Sequence, residues 1–270
     1  MSDVAVRDSA YRASARTTPS RYPERASYER AAAHEVLDGA YVCHVGFVAD
    51  GEPRVLPTLF VRVGETLYLH GSTAATPWLA ARRDGGLPIV VAVTEIDAFV
   101  LARSQFHHSA NYRSVIAHGI GRLVTDEPAK RVAMTALVDK VGGVLAGADA
   151  AAMPDELRRS THTRPPTAAE LAKTAVVALD LRDVSLKRRA GGVGDDEADL
   201  ALPYWAGIVP LGTRIGVGEP ADGVTVPAPA YVPSPADVPA QSPWLEPIRL
   251  SGRHVTLEPL AVAHAPELFA

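Results

Sequence analysis

Alternating apolar and polar residues predict three strands in succession in the first third of the chain. The segments are YVCHVGFV at 41–48, RVLPTLFVRV at 54–63 and TLYLHG at 66–71. Asp50-Gly51 separates the first two segments, and Gly64-Glu65 separates the last two. Short turns of this kind join antiparallel strands, because glycine adopts positive φ at little cost. The pattern therefore predicts a β-meander.

Further segments rich in β-branched residues have strand length, and helical patterns lie between them. The strand candidates are 90–94, 99–102, 112–123 and 176–185. A helix is predicted over 28–38, with Ser27 as its N-cap and Gly39 as its stop. A longer helix from residue 127 has one apolar face formed by Val132, Leu137, Val138 and Val141. Many antiparallel strands with helices at their edges predict a mainly β fold with some α structure, a barrel with helical cover.

Composition divides the chain into four predicted regions. Residues 1–24 lack periodicity and are expected to form a disordered arm, and residues 25–216 hold the barrel domain. Residues 217–243 contain repeated prolines, which interrupt helices and central strands, so an extended linker is expected. Residues 244–270 resume strand and helix signals.

Charge and cysteine content narrow the class of protein. Lys and Arg total 27 against 31 Asp and Glu, a net charge of −4, so no nucleic-acid partner is expected. No apolar run is long enough for a membrane span or a signal peptide. The single cysteine, Cys43, lies in an apolar run and is interpreted as a buried free thiol. We therefore expect a cytoplasmic protein without a membrane partner.

Three motifs, in order, resemble a known flavoprotein family. They are LYLHGST at 67–73, HHSANYRSV at 107–115 and LPYWAGIVPL at 202–211. Together they resemble the flavin-nucleotide-binding branch of the pyridoxamine 5′-phosphate oxidase-like family, which includes the nitroimidazole-resistance proteins. The resemblance covers about residues 21–212. It implies an FMN-binding split β-barrel that forms a homodimer, with FMN held at the subunit interface.

The glycine turn after the third strand is the first predicted cofactor contact. Gly71 lets backbone N–H groups approach a ligand, and the hydroxyls of Ser72 and Thr73 can donate to a phosphate or a flavin oxygen. On the residues alone a plain turn is the alternative. Alternation directs His70 away from the core side of the strand and toward the expected flavin ring.

The strand at 54–59 is similar to the family strand that lies along the flavin, which implies contacts from Arg54 and Thr58. The lysine that the family has at the end of this strand is Leu59 here, and the basic pair expected after the glycine turn falls on Ala75, Thr76 and Pro77. Each charge-assisted hydrogen bond contributes about 1.5 to 3 kcal/mol, so their loss weakens FMN binding unless other residues replace them. Arg82 and Arg83 are the predicted replacements for the missing basic groups, with solvated surface charges as the alternative.

Ring and donor chemistry is concentrated at the entrance of the strand at 112–123. His107, His108 and Asn111 precede it on a loop, where they can line a substrate mouth and where either histidine can exchange protons near neutral pH. Haem or metal ligation suits the same histidines, and an exposed or packing role is the plain alternative. The resemblance implies that Arg113 and Ser114 face the flavin pyrimidine edge, although alternation places them on opposite sheet faces.

Two later residues complete the predicted site. Trp205 can pack against the edge of the isoalloxazine, with plain core packing as the alternative. Lys187 is expected to face the cofactor from the neighbouring subunit. His44 and His118 lie inside apolar strands and are interpreted as core histidines without a function.

These features predict a flavoprotein oxidoreductase that acts on a small molecule, with His107 or His108 supplying a proton. By resemblance the reaction is nitro-group reduction or, less favoured because basic donors are missing, pyridoxamine phosphate oxidation. The alternative is a non-catalytic flavin- or haem-binding sensor module, and a deazaflavin is an alternative to FMN. Residues 244–270 resemble the start of a GNAT acetyltransferase without its later part, so a longer fusion is considered and no acetyl transfer is expected.

Overall fold

Six antiparallel strands close into a barrel in this computed structural model, which describes residues 9–73, 78, 80–146, 153–234, 250–251 and 256–257. The strands are β1 (Ala26–Ser27), β2 (Val42–Ala49), β3 (Glu52–Val63), β4 (Thr66–Ser72), β5 (Leu87–Leu101), β6 (Ser109–Leu123), β7 (Thr174–Asp180), β8 (Asp183–Arg189), β9 (Gly207–Pro210), β10 (Leu250–Ser251) and β11 (Thr256–Leu257). The described helices are α1 (Arg30–Gly39), α2 (Glu127–Ala146) and α3 (Ala168–Lys173).

The barrel follows the order β2–β3–β4–β7–β6–β5, and β5 pairs with β2 to close the ring. Strand β6 is shared between layers, because it pairs with β5 on one side and with β8 and then β7 on the other. Strand β1 continues outward from β8, and β9 pairs with the end of β5. The split at β6 confirms the predicted split barrel, mainly β with helical cover.

Local sequence explains the meander formed by β2, β3 and β4. Alternation buries Cys43, Val45 and Phe47 inside the barrel and leaves their neighbours facing outward. Asp50 and Gly51 have φ angles of 55° and 81°, the left-handed pair that a tight two-residue hairpin requires. The predicted meander is confirmed, and so is the buried thiol of Cys43, whose pKa burial raises to about 12.

Elsewhere the bounds of the strands differ from those that the sequence patterns predict. The separate strands predicted at 90–94 and 99–102 are one strand, β5, with an irregularity between Ile96 and Ala98. The single strand predicted at 176–185 is a hairpin of β7 and β8. Helix α1 starts at Arg30 with Glu29 as its N-cap, because the Ser27 hydroxyl accepts from the Glu29 amide at 3.3 Å instead of capping the helix.

Helix α2 buries a different face from the one predicted. Val132 and Val141 are about half exposed, whereas Asp139 and Lys140 are buried. Asp139 accepts a hydrogen bond from the Ser160 amide at 2.8 Å, so a polar contact replaces the expected apolar one. The predicted apolar face is therefore wrong at Val132 and Val141, because satisfied polar groups can occupy the packed face of a helix. Leu137 and Val138 are partly buried.

The segment before α1 packs against the barrel rather than forming the predicted disordered arm from residue 9 onward. Tyr11 is only 4% exposed, and its hydroxyl donates to Glu65 at 3.1 Å. Tyr11 and Tyr28 also join through a backbone hydrogen bond of 2.7 Å. The reason is aromatic burial: Tyr11 supplies apolar area that the composition of the segment conceals.

The contact pattern divides the chain into two units, 1–214 with 225–232 and 215–224 with 233–270. Within the first unit, Tyr231 is buried, and its hydroxyl accepts from Arg159 at 3.2 Å, so part of the predicted linker is packed. The second unit contains the β10–β11 hairpin, and the rest of the GNAT-like stretch lies outside the described residues. Across the described parts of the chain, no helix combines the length and apolar character of a membrane span.

Candidate functional site

A groove of about 960 Å³ opens on the outward side of the barrel where five strands run side by side. Its floor is a cross-strand row in which each residue is the Cα partner of the next: Val55, Gly46, Val90, His118 and Asp183. The walls are mainly aliphatic, with Val48 and Ile120 beside the row. Cavities of this size with apolar walls and few polar groups are typical of cofactor and small-molecule sites.

The rim of the groove is basic. Arg16, Arg54 and Arg122 line it, and within the described residues none of the three makes a side-chain hydrogen bond or an ion pair. A fourth arginine, Arg182, lies 3.5 Å from the Asp180 carboxylate. Asp180 and Asp183 also line the groove, so four arginines outnumber two carboxylates. Three unpaired guanidinium groups beside the apolar part of the floor favour a ligand with an apolar surface and negative groups at its edge.

Arg16 reaches the groove because a closed turn holds the segment before α1. Thr17 is 3% exposed, and its hydroxyl accepts from the Ser14 amide at 2.8 Å. The Thr17 and Thr18 amides both donate to the Ser14 carbonyl, and the Tyr28 hydroxyl donates to the Thr17 carbonyl at 3.2 Å. These bonds fix the backbone on both sides of Arg16, so its side chain is presented at the tip of an anchored turn.

The glycine turn at the end of β4 lies at a different part of the barrel. The Thr58 hydroxyl donates to the His70 carbonyl at 3.3 Å, which ties the middle of β3 to the turn. The Trp78 indole lies directly over Gly71, where an added Cβ would be 2.0 Å from Nε1. The Thr73 amide donates to the Lys173 carbonyl at 3.3 Å, and Ser72 closes the pairing of β4 with β7.

His70 faces α2 rather than an open cavity. Its Nδ1 is buried without a hydrogen-bond partner among the described residues, in a gap of essentially zero free volume beside Met134 and Leu137. Because a water needs at least about 10 Å³, no ligand atom reaches Nδ1 in this arrangement. Thr76 lies outside the described residues, and Arg82 is exposed on the turn before β5.

The loop that enters β6 is bound to the segment after β8. The Asn111 amide oxygen accepts from Arg189 at 2.5 Å and from the Gly191 amide at 3.0 Å, while its NH₂ donates to the Gly191 carbonyl at 3.1 Å. His107 Nε2 lies 3.2 Å from the Asp196 carboxylate, and His108 Nδ1 lies 3.0 Å from the Ser104 carbonyl. Asn111 therefore organises this loop through its own hydrogen bonds.

Arg113 and Ser114 have separate environments, as alternation predicts. Arg113 makes a bidentate pair with Asp97 at 2.9 to 3.2 Å and lines a second cavity of about 410 Å³, beside Leu211. The hydrogen bond with Asp97 raises the pKa of Arg113. Ser114 lies on the other face, with its hydroxyl 2.9 Å from that of Thr94.

The two remaining predicted contacts lie near the protein surface. The Lys187 ammonium donates to the Arg21 carbonyl of its own chain at 3.0 Å. Trp205 is 67% exposed, and its ring lies against Gly207 at the start of β9. Of the predicted residues the fold thus brings Thr58 together with His70–Thr73, and Asn111 with the loop histidines, while Arg54 lies apart in the groove.

The sequence interpretation missed His118 as a groove residue and treated it as a core histidine. Val115 and Ala117 are buried, so the period of two directs His118 outward, and this signal was available in the sequence. His44 is likewise exposed and outward. Arg16 and Arg122 could not be assigned from sequence, because only the closed barrel brings them to the same rim. In the described residues no cluster of His, Cys, Asp and Glu suits a metal ion.

Comparison with known proteins identifies the class of this split barrel. The pyridoxamine 5′-phosphate oxidase family profile matches residues 29–188, so the chain belongs to the pyridoxamine 5′-phosphate oxidase family. The flavocytochrome Anf3 from Azotobacter vinelandii is 33% identical, with 81% of this chain and 95% of that chain covered and a TM-score of 0.70. The FAD- and haem-binding protein from Mycobacterium smegmatis is also 33% identical, with 77% and 95% covered and a TM-score of 0.67.

One further solved structure is similar at much lower sequence identity. A candidate 5-nitroimidazole antibiotic resistance protein from Bacteroides thetaiotaomicron is 15% identical, with 59% of this chain and 83% of that chain covered and a TM-score of 0.41. No curated protein sequence matches the chain at a significant level.

Proposed function

We propose that this protein is an oxidoreductase that binds a flavin and a haem. The observation that carries the proposal is the basic-rimmed apolar groove with one histidine on its floor, in a chain that matches two proteins described by flavin or haem binding at 33% identity. Flavin supplies hydride and single-electron transfer when bound, and haem supplies single-electron and oxygen chemistry. We propose FAD rather than FMN as the flavin, because one relative is described as binding FAD.

The residues at the end of β4 suit the flavin. The hydroxyls of Ser72 and Thr73 lie beside a glycine turn fixed by Trp78 and Thr58, and Arg82 is the exposed cation nearest in sequence to the turn. These residues bind and orient the flavin phosphates, through hydroxyl and backbone donors rather than the basic residues that are missing here. At the loop before β6, His107 and His108 are the groups placed to hold a proton for a small-molecule substrate.

We expect the purified protein to contain both a flavin and a haem. Protein purified from cells grown with added iron is expected to show both flavin absorbance and a Soret band. Acid release followed by mass spectrometry is expected to yield FAD; FMN or a deazaflavin would replace only the proposed flavin. A protein that neither retains nor takes up any flavin on titration would contradict the proposal.

A second candidate is a non-catalytic flavin- or haem-binding module. The observation that favours it is the engagement of one ring nitrogen of each loop histidine, His107 Nε2 with Asp196 and His108 Nδ1 with the Ser104 carbonyl. Bleaching of the flavin by NAD(P)H with reoxidation by an acceptor, over many turnovers, would support the enzyme. Cofactor binding without turnover would support the module.

We further propose a homodimer formed through the outward apolar pair of Val42 on β2 and Leu59 on β3, neither of which lines the groove. Both side chains are substantially exposed, 42% for Val42 and 43% for Leu59. The two residues are Cα partners on neighbouring strands, so their side chains form one continuous apolar surface. In a dimer with two-fold symmetry, the same surface of the second copy covers this pair.

Leu59→Asp is expected to weaken the dimer about 30-fold. Each buried apolar side chain of this exposure contributes roughly 1 kcal/mol, and the two-fold axis counts it twice. Light scattering against protein concentration measures the shift toward monomer. Val63→Asp, at a similarly exposed position near the end of the same strand, is the matched control. Equal dissociation constants for the Leu59 variant and wild type would refute this interface.

A further inference from the structure

We infer that the groove is the haem site and that His118 is the axial ligand of the iron. This inference rests on the haem half of the proposed function, and it assigns that half to particular residues. A haem b presents a flat apolar ring, an iron that accepts an imidazole nitrogen, and two carboxylates at one edge. The groove offers a counterpart to each of these three features.

His118 stands out among the seven histidines in the described ranges. Four of them hydrogen-bond to other groups of the protein: His34, His107, His108 and His162. His70 lies against α2 beside a gap with no room for a ligand. His44 faces outward from β2, but it does not line the groove, whereas His118 does.

On the β5 side of His118 the floor of the groove is wide enough for the half of a porphyrin that extends from its iron. Neighbouring strands are about 4.8 Å apart, so the row from Val55 through Gly46 and Val90 to His118 spans roughly 14 Å. Gly46 contributes no side chain, and a Cβ at this position would lie 2.8 Å from Val90 Cγ1. The glycine therefore keeps the middle of the floor low.

A carboxylate lies next to His118 across the strand pair. Asp183 is the Cα partner of His118 on β8, and it also lines the groove. Metal-ligating histidines usually donate their second ring N–H to a carboxylate or carbonyl, which fixes the ring and raises its basicity. Among the described residues no hydrogen bond joins Asp183 to His118, so the assignment of His118 does not depend on Asp183.

The unpaired arginines of the rim suit the two carboxylates. Arg54 and Arg122 belong to the barrel itself, while Arg16 arrives on the anchored turn between Tyr11 and Thr17. Guanidinium–carboxylate hydrogen bonds are strong and directional, so they fix the in-plane orientation of the ring. The anchored turn thus takes part in the site and closes one side of the groove.

The test is a haemin titration of the full chain followed by absorbance and electron paramagnetic resonance. Wild type is expected to give a histidine-type Soret band, and His118→Ala to bind haemin at least about tenfold more weakly. Added imidazole is expected to restore the wild-type spectrum of His118→Ala. His44→Ala, an outward histidine that does not line the groove, is the matched control and should behave as wild type.

A ligand exchange keeps the assignment testable if His118→Ala folds poorly. His118→Tyr is expected to bind haemin with a phenolate-type spectrum in place of the histidine-type spectrum, which a merely structural role of His118 would not produce. Arg16→Gln is expected to weaken haemin binding about tenfold without changing the type of spectrum. Arg12→Gln, an exposed arginine that does not line the groove, is its control.

The results of these titrations distinguish a wrong assignment of His118 from a protein that does not bind haem. A wild-type protein that gives no Soret band with haemin would overturn the haem half of the proposed function, and the assignment of His118 with it. A wild-type Soret band that persists unchanged in both His118 variants would overturn the assignment of His118 alone. Loss of the histidine-type spectrum in the His118 variants, with His44→Ala unaffected, would support both.

Discussion

Gly71→Ala is expected to destabilise the protein by about 3 kcal/mol, at the upper end of what an overpacked core position costs. The new Cβ would lie 2.0 Å from Trp78 Nε1 and within 3 Å of two further atoms of the indole. Trp78 is 3% exposed, so displacing its ring from this position exposes apolar surface. Either the indole leaves its buried position or the end of β4 shifts away from it.

Denaturant unfolding of the variant and of Gly39→Ala measures this effect. Gly39 is the last residue of α1, and nothing lies within 4 Å of the position a Cβ would take, so alanine there is expected to be neutral or stabilising. Equal stability of Gly71→Ala and wild type would show that the indole does not occupy this position.

The same substitution tests the flavin site. Because Trp78 follows the glycine turn and packs on it, a displaced indole is expected to disturb Ser72 and Thr73 as well. Gly71→Ala should therefore lower flavin retention more than its loss of stability explains, when retention is measured well below the unfolding midpoint. Unchanged retention in a folded variant would remove the turn from the proposed flavin site.

Local patterns in the sequence were sufficient for the meander but not for the helix faces. Alternation and the Asp50-Gly51 turn determine β2 and β3, because both signals act between neighbouring residues. Val132 and Val141 suggested an apolar stripe on α2, and the buried face instead carries Asp139 and Lys140. Their partners, Ser160 and Leu37, lie far from them along the chain, so no local sequence pattern predicts that they are buried.

In the candidate site, too, some residues follow from the sequence and others only from the fold. Arg54 was selected by resemblance, and the fold places it in the groove, away from Thr58 on the same strand. His118 was open to prediction through the alternation of β6, but its value as a ligand depends on a groove that five strands and the anchored turn create together. Arg16 is more than 100 residues from His118 in sequence, and only tertiary packing brings it to the rim of the same groove.

Lys140 is the buried titratable group with the clearest consequence for stability. Its ammonium donates to the Leu37 carbonyl at 2.9 Å and lies 3.7 Å from the centre of the Phe60 ring. Loss of hydration lowers the pKa of Lys140 to about 8, although nearby Asp38 acts in the opposite direction. The charged form is therefore accommodated at a cost near neutral pH.

Lys140→Met is expected to change how stability depends on pH. The pKa of Lys140 is about 8 when folded and about 10.5 when unfolded, so between these values the unfolded chain binds more protons and the free energy of unfolding rises with pH. Methionine has no such titration. The stability of wild type relative to the variant is thus expected to rise by about 3 kcal/mol from pH 8 to pH 10.5, and to be flat below pH 8.

Urea unfolding of both proteins at a series of pH values measures this difference directly. Comparing the two proteins cancels Tyr11, whose raised pKa lowers stability at alkaline pH in wild type and variant alike. Cys43 does not cancel, because the charge of Lys140 lowers the pKa of its thiol, so the comparison is made with Cys43→Ala in both proteins. Lys130→Met is the matched control, because Lys130 lies on the same helix and also donates to a backbone carbonyl, that of Leu171, at 2.8 Å. If wild type and Lys140→Met differ by a constant amount across this pH range, then Lys140 is not charged at a cost in the folded protein, and its burial is relieved by solvent.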